Sequence, residues 1–276
     1  MIISMSNTVE NKNEQKITLK VYRENRGKDS GSYYDTFEVP YQKWTTVLDA
    51  LLYVKSYMDP SVAIRYSCRM ASCGSCGMKI NGIPKLACYT KISEIETSTI
   101  ECEPLSNFPI IRDLVTDFSR FFNHHKKMQP YIQVKESNED DTIKGTFSFY
   151  QSPEDVDKYL QFSYCIKCGL CYSACPTVGT DINFPGPQAL AQQYRYFADT
   201  RDESKKRLDI VDDRHRIWRC HFAGSCSRVC PKGVDPALGI QLLKSYMLGI
   251  SKNDKIPAKK IEIDSISESN GSSDSK

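Results

Sequence analysis

No stretch of the 276-residue sequence approaches the run of about eighteen apolar residues that a bilayer-crossing helix needs, which excludes a spanning helix and leaves peripheral contact as the route to a membrane. Charge of one sign is missing too. The 37 Lys and Arg face 34 Asp and Glu, and a formal charge of +3 is too small to argue for nucleic acid or an anionic lipid surface. The opening MIISMSNTVENKNEQK has no arginine, no apolar core of a signal peptide and no basic amphipathic face of a transit peptide, so an unprocessed cytoplasmic chain is expected. Tryptophan is limited to Trp44 and Trp218. Cysteine, in contrast, occurs twelve times. Disulfides belong mostly to small secreted domains, so metal ligation is the better reading of these residues.

The length suits two domains of modest size. Residues 1–15 and 252–276 are polar and expected to be disordered. The first block, 16–125, opens with KITLKVY and SYYDTFEV, whose alternation predicts two strands. Thr46 and Asp49 fit a capping box, starting a helix with Val47, Leu48, Leu51 and Leu52 on one face. GMKI and IPKLAC flank Asn81-Gly82, a dipeptide suited to a tight hairpin turn. A strand at TIECE follows. Ile111, Leu114, Val115, Phe118 and Phe122 then recur at helical spacing, predicting a helix packed on a core. Residues 126–150 form the connection, with KESNEDDTIKG at 135–145 as its linker. The second block, 151–251, reads as helical, with start signals at Ser152-Pro153, at Gly186-Pro187 before QALAQQYRYFA, and at Asp235 before PALGIQLLKSYML. Strands first and helices later make an α+β fold.

SCRMASCGSCGMKINGIPKLAC carries Cys68, Cys73 and Cys76 at CxxxxCxxC spacing, with Cys88 on the far strand of the predicted hairpin. This is the plant-type ligand arrangement for a 2Fe-2S cluster. Gly74 and Gly77 admit close backbone approach and amide hydrogen bonds to sulfur. Spacing alone also admits zinc. Cys102 in ECEPL lies outside any ligand spacing and reads as an ordinary strand thiol.

CIKCGLCYSACP places Cys165, Cys168, Cys171 and Cys175 at the CxxCxxCxxxCP spacing of ferredoxin-type sites. RCHFAGSCSRVCPKG repeats that frame with Cys220, Cys226 and Cys230, and Ala223 stands where the second cysteine would be. In two-cluster ferredoxins the fourth cysteine of one run serves the other cluster. That crossing assigns Cys165, Cys168, Cys171 and Cys230 to a 4Fe-4S cluster. It leaves Cys175, Cys220 and Cys226, three thiolates that suit a 3Fe-4S cluster. Pro176 and Pro231 stop the local helix after each run. His221 could replace a thiolate or hydrogen-bond near the cluster edge, and the second role is the better reading. Trp218 either shields the cluster or packs in the core.

A plant-type 2Fe-2S domain followed by paired CP runs with one vacancy resembles the iron–sulfur subunit of succinate dehydrogenase and fumarate reductase. The similarity spans residues 16–250 and extends to NFPIIRDLV, the GP before QALAQQYRYFADTRDE, and RCHFAGSCSRVCPKG. The resemblance implies a β-grasp ferredoxin domain joined to an α-helical ferredoxin domain. The chain would be an electron-transfer subunit on the cytoplasmic face of the cell membrane, working with an FAD-containing flavoprotein subunit, a membrane anchor and quinone. Electrons would run from the flavoprotein through the 2Fe-2S, 4Fe-4S and 3Fe-4S clusters in turn, with succinate oxidation as the expected direction and fumarate reduction as the alternative. Dicarboxylate chemistry would belong to the flavoprotein, in keeping with the lack of an apparent acid, base or nucleophile here. Relatives that help build the quinone pocket commonly carry tryptophan shortly after the first CP, and CPTVGTDINFPG has none. Pro176 and His221 match positions that often line that pocket.

Two rival readings stand beside this one. A two-cluster subunit of another flavin-linked oxidoreductase would also use paired CP runs, but the fused plant-type domain and Ala223 argue against it. A zinc-bound nucleic-acid module would use CxxC pairs, but it lacks the basic face such a module needs.

Overall fold

A computed structural model describes residues 15–25, 31–133, 147–203, 206–250 and 259–262. Alternation in the first strand sets the first sheet: Ile17, Leu19 and Val21 of β1 (Gln15–Asn25) are buried while their neighbours face outward. β1 runs antiparallel to β2 (Gly31–Tyr41), with Leu19 opposite Phe37, and parallel to β5 (Thr99–Glu103). The hairpin of β3 (Gly77–Ile80) and β4 (Ile83–Leu86) completes the order β2-β1-β5-β3-β4. Asn81 and Gly82 turn it with φ of 49° and 76°, the paired positive values that a type I′ turn demands. Helix α1 (Val47–Tyr53) closes the core with Val47, Leu48, Ala50 and Leu51. Its capping box is formed, with Thr46 Oγ1 accepting from the Asp49 amide at 3.2 Å and the Asp49 carboxylate accepting from the Thr46 amide at 3.0 Å. Cys102 lies on β5, fully buried, and burial pushes its thiol up to about 12.

The helix expected from Ile111 to Phe122 does not form over most of that span. Strands β6 (Ile110–Arg112) and β7 (Val115–Thr116) make a small hairpin, and α2 (Ser119–Lys127) begins only afterwards. Asp113 supplies the reason. Its buried carboxylate accepts from the amides of Glu24 at 3.0 Å and Ala63 at 2.8 Å and lies 3.4 Å from Nε of Arg23, which is itself buried. Reaching all three requires a turn with φ of 46° at Asp113, and a helix cannot contain it. Tertiary demand overrides the periodic pattern.

The second half is helical, and its elements after β8 (Phe147–Tyr150) are α3 (Pro153–Asp157), α4 (Leu160–Ser163), α5 (Leu170–Ser173), α6 (Pro176–Thr180), α7 (Pro187–Ala198), α8 (Arg207–Val211), α9 (Ser225–Arg228) and α10 (Pro236–Met247). The signals at Ser152, Pro187 and Asp235 all stand at helix starts. The segment 252–276, expected as a disordered tail, contains β9 (Lys259–Glu262), which pairs antiparallel with β8. The ladder gives its backbone partners that the polar composition did not announce. The expected linker at 135–145 and residues 1–14 lie outside the described residues.

Two features join the halves. Phe108 and Phe121 pack against Tyr172 of α5 at ring-centroid distances of 4.9 and 5.4 Å. The Asn107 side-chain amide donates to the carbonyls of Tyr172, Ser173 and Cys175 at 3.0–3.1 Å, satisfying the C-terminal end of α5. Further along, buried Arg207 pairs with buried Asp202 and donates to the carbonyls of Gln129 and Tyr131, pinning the segment after α2 onto the helical half. Removing one partner of a buried pair strands a charge. Asp202→Ala is therefore expected to destabilise this region by about 3–5 kcal/mol. Hydrogen exchange checks it: the amides of residues 129 and 131–133 should lose protection, and unchanged protection would mean that the pair does not hold this segment.

Candidate metal centres

The first thiol set is built by a loop and a hairpin. Residues 67–76 curl with positive φ at Arg69, Ala71 and Gly74, which turns successive amides toward the sulfurs. The amides of Met70, Ser72 and Cys73 donate to Cys68 Sγ at 3.5, 3.3 and 3.2 Å, and those of Cys68 and Ser75 to Cys73 Sγ at 3.5 Å. Ala71 donates to Cys88 Sγ at 3.3 Å and Cys88 to Cys76 Sγ at 3.5 Å. Every sulfur of the set thus accepts at least one amide, which suits electron-rich thiolates. The Ser75 hydrogen bond, aided by the Cys68 amide, holds Cys73 down to about 6, while burial pushes Cys76 up to about 12.

The second and third sets sit in the helical half, and the structure crosses them. One cavity is lined by Cys165, Cys168, Cys171 and Cys230. Another is lined by Cys175, Cys220 and Cys226 together with Pro176, His221 and Ala223. Helices α5 and α9 explain the exchange: each carries one cysteine (Cys171, Cys226) and is followed one turn later by another (Cys175, Cys230) that faces the other cavity. Burial pushes Cys168 and Cys226 up to about 11, Cys171 well above its ordinary range, and Cys165 and Cys175 upward. Such thiols stay protonated near neutral pH, and a coordinating metal deprotonates them outright. Eleven thiols in three sets, the first ringed by amide donors and the other two lining cavities, fit iron–sulfur clusters.

The two CP runs share one backbone. In the first, Lys167 and Gly169 have φ of 56° and 79°, and Gly169 caps α5; in the second, Phe222 and Gly224 have φ of 57° and 70°, and Gly224 caps α9. Between each pair stands Cys168 or Ala223. Ala223 therefore occupies the second-ligand place in geometry as well as in sequence. The first two sites also touch, since a Cβ added at Gly74 would lie 2.6 Å from Cβ of Cys168. His221 is exposed at the third cavity. Trp218 neither lines that cavity nor lies in the core; it is half-exposed and donates to Asp212 at 2.7 Å. Sequence reading missed Gln188, a cavity-lining residue of α7, because it lies twenty-three positions from Cys165 and in no ligand spacing.

Among the described residues no helix is long and apolar enough to cross a membrane. The family described as a 2Fe-2S iron-sulfur cluster binding domain matches residues 18–123, and that described as a 4Fe-4S dicluster domain matches residues 161–234. The fumarate reductase iron-sulfur subunit of Haemophilus influenzae is 41% identical over 255 residues, covering 87% of this chain and 98% of that one. The Escherichia coli O157:H7 fumarate reductase iron-sulfur subunit is 44% identical over 226 residues, covering 82% and 90%. The mitochondrial succinate dehydrogenase [ubiquinone] iron-sulfur subunit of Dictyostelium discoideum is 35% identical over 245 residues, covering 86% and 84%. Among solved structures, a chain of the Mycobacterium smegmatis Sdh1 complex in the apo form superposes with a TM-score of 0.76 at 25% identity, covering 88% of this chain and all of that one. With a 2Fe-2S domain followed by a dicluster domain, and with these relatives along nearly its whole length, the chain belongs to the family of iron–sulfur subunits of succinate dehydrogenase and fumarate reductase, electron-transfer components of multi-subunit oxidoreductases.

Proposed function

We propose that this subunit conducts electrons between an FAD-containing flavoprotein that interconverts succinate and fumarate and a quinone at a membrane anchor, docked peripherally on the cytoplasmic face. The observation that carries the reading is the serial contact of the three thiol sets. Gly74 abuts Cys168, and α5 and α9 each carry a cysteine of one of the last two sites and are followed by a cysteine of the other. Cys68, Cys73, Cys76 and Cys88 hold the 2Fe-2S cluster, Cys165, Cys168, Cys171 and Cys230 the 4Fe-4S cluster, and Cys175, Cys220 and Cys226 the 3Fe-4S cluster. When bound, the clusters supply one-electron redox chemistry whose potentials follow cluster type, hydrogen bonding to sulfur and exposure. The protein's part is to fix ligands, exclude water and hold the sites in a rigid series, divided between domains at 16–125 and 151–251. Pro176 and His221 border the last site and face the quinone.

Succinate oxidation is the proposed direction. The higher identity to fumarate reductase subunits favours a second reading, in which the same wire runs in reverse. The isolated membrane complex separates them: succinate-driven quinone reduction faster than quinol-driven fumarate reduction supports the first, and the opposite ratio supports the second. A complex that handles neither dicarboxylate would overturn both.

Anaerobically purified protein is expected to hold about nine iron atoms and about ten acid-labile sulfides. Stoichiometric zinc without sulfide would refute the cluster assignment. Ala223→Cys is expected to supply the missing thiolate and convert the three-iron cluster toward 4Fe-4S, with loss of the oxidised three-iron EPR signal and a lower midpoint potential. An unchanged three-iron signal at full iron content would mean that position 223 does not face the open corner. His221→Ala is expected to slow quinone reduction several-fold while sparing an artificial acceptor that takes electrons upstream. Equal losses in the two assays would assign His221 to cluster stability instead.

A further inference from the structure

Gln188 is a polar side chain in a place where the cavity wall could have been apolar. It stands on the first turn of α7, 2% exposed, and lines the cavity of Cys165, Cys168, Cys171 and Cys230. Its amide nitrogen lies 3.2 Å from Nδ1 of His125 on α2, and its amide oxygen is buried with no hydrogen-bond partner. A buried unsatisfied carbonyl costs about 1–3 kcal/mol, so the orientation must be set by what the nitrogen does.

That nitrogen carries two hydrogens. Burial, reinforced by Lys167, pushes His125 down to about 4, so near neutral pH its ring is uncharged and has one N–H. With that hydrogen on Nε2, Nδ1 offers a lone pair and takes one Gln188 N–H. The second N–H is left for the cavity. Cys165, Cys168, Cys171 and Cys230 line that cavity with it, so the second N–H has sulfur acceptors to meet. Reversing the amide would turn an oxygen toward the thiolates and leave N–H donors without acceptors, a worse arrangement once the sulfurs are anionic.

We infer that the Gln188 side chain donates a hydrogen bond to sulfur in the four-thiol centre, that His125 is the positioning residue that fixes its orientation, and that the pair raises the potential of this centre above what an apolar wall would give. Hydrogen bonds to sulfur stabilise the more negative, reduced state and so raise potential. The inference rests on the 4Fe-4S assignment and not on which dicarboxylate or quinone the complex uses.

Redox titration of the whole complex, followed by the EPR signal of the reduced 4Fe-4S cluster, tests it in three variants. Gln188→Leu and Gln188→Met remove the donor at similar volume and are expected to lower the centre's affinity for an electron about tenfold, ~59 mV for one electron. His125→Leu keeps the donor but frees it to rotate, so a smaller fall in the same direction is expected. The 2Fe-2S and three-iron potentials should stay where they are. Equal potentials in wild type and both Gln188 variants, at full iron content, would overturn the inference, as would a shift common to all three clusters. Failure of all three variants to assemble the 4Fe-4S cluster would also overturn it, by making the pair a structural element of the fold. Iron analysis and the dicarboxylate assays on the same preparations report separately on the parent reading.

Discussion

The constraint that ties the first two thiol sets together is the contact of the Gly74 backbone with Cys168. No side chain fits between them, since even a methyl carbon would sit 2.6 Å from Cys168 Cβ. The loop that wraps the first thiol set is therefore pressed onto a ligand of the second. Electron transfer between separate centres falls off steeply with distance, so this packing matters more to function than any single ligand bond. Much of the surrounding structure serves it. The ring cluster of Phe108, Phe121 and Tyr172 and the Asn107 amide on three carbonyls at the end of α5 anchor the segment that carries Cys171 and Cys175. Each of those groups comes from a different half of the chain than its partner.

The three sites meet the cost of thiolate charge in different ways. The first lies near the surface, with Cys73 exposed, and its loop offers a dense set of amides to the sulfurs. The second is deeper, and burial dominates the behaviour of its thiols. Unsatisfied negative charge in such a cavity is expensive, and this is where a buried glutamine amide stands. The third is bordered by the exposed His221.

Cysteine spacing made the candidate sites legible because ligand sets are local. A four-residue gap, a hairpin at Asn81-Gly82 and the one-turn separation of Cys171 from Cys175 are short-range facts. Even the crossing of sites follows from a helix that puts residues four apart at different heights. What could not be read was decided at long range. The periodic residues from Ile111 to Phe122 looked helical because nothing near them in sequence records that Asp113 must reach Arg23, Glu24 and Ala63. The strand Lys259–Glu262 is polar and takes its order from β8, more than a hundred residues away. His125 and Gln188 are sixty-three positions apart, and neither belongs to a motif.

Ala223 shows what a single position can do inside a fixed frame. The backbone on either side follows the first run at two consecutive special conformations, Phe222 with Gly224 against Lys167 with Gly169. Both glycines cap helices of equal length that carry a ligand cysteine at their second residue. Had the fold needed a different loop to host a three-thiolate site, these angles would differ. They do not, so the loop geometry is independent of the ligand count. The difference between the two ligand frames then resides in one side chain. Position 223 thus sets the thiol count of the third set without altering the helices that hold the set before it.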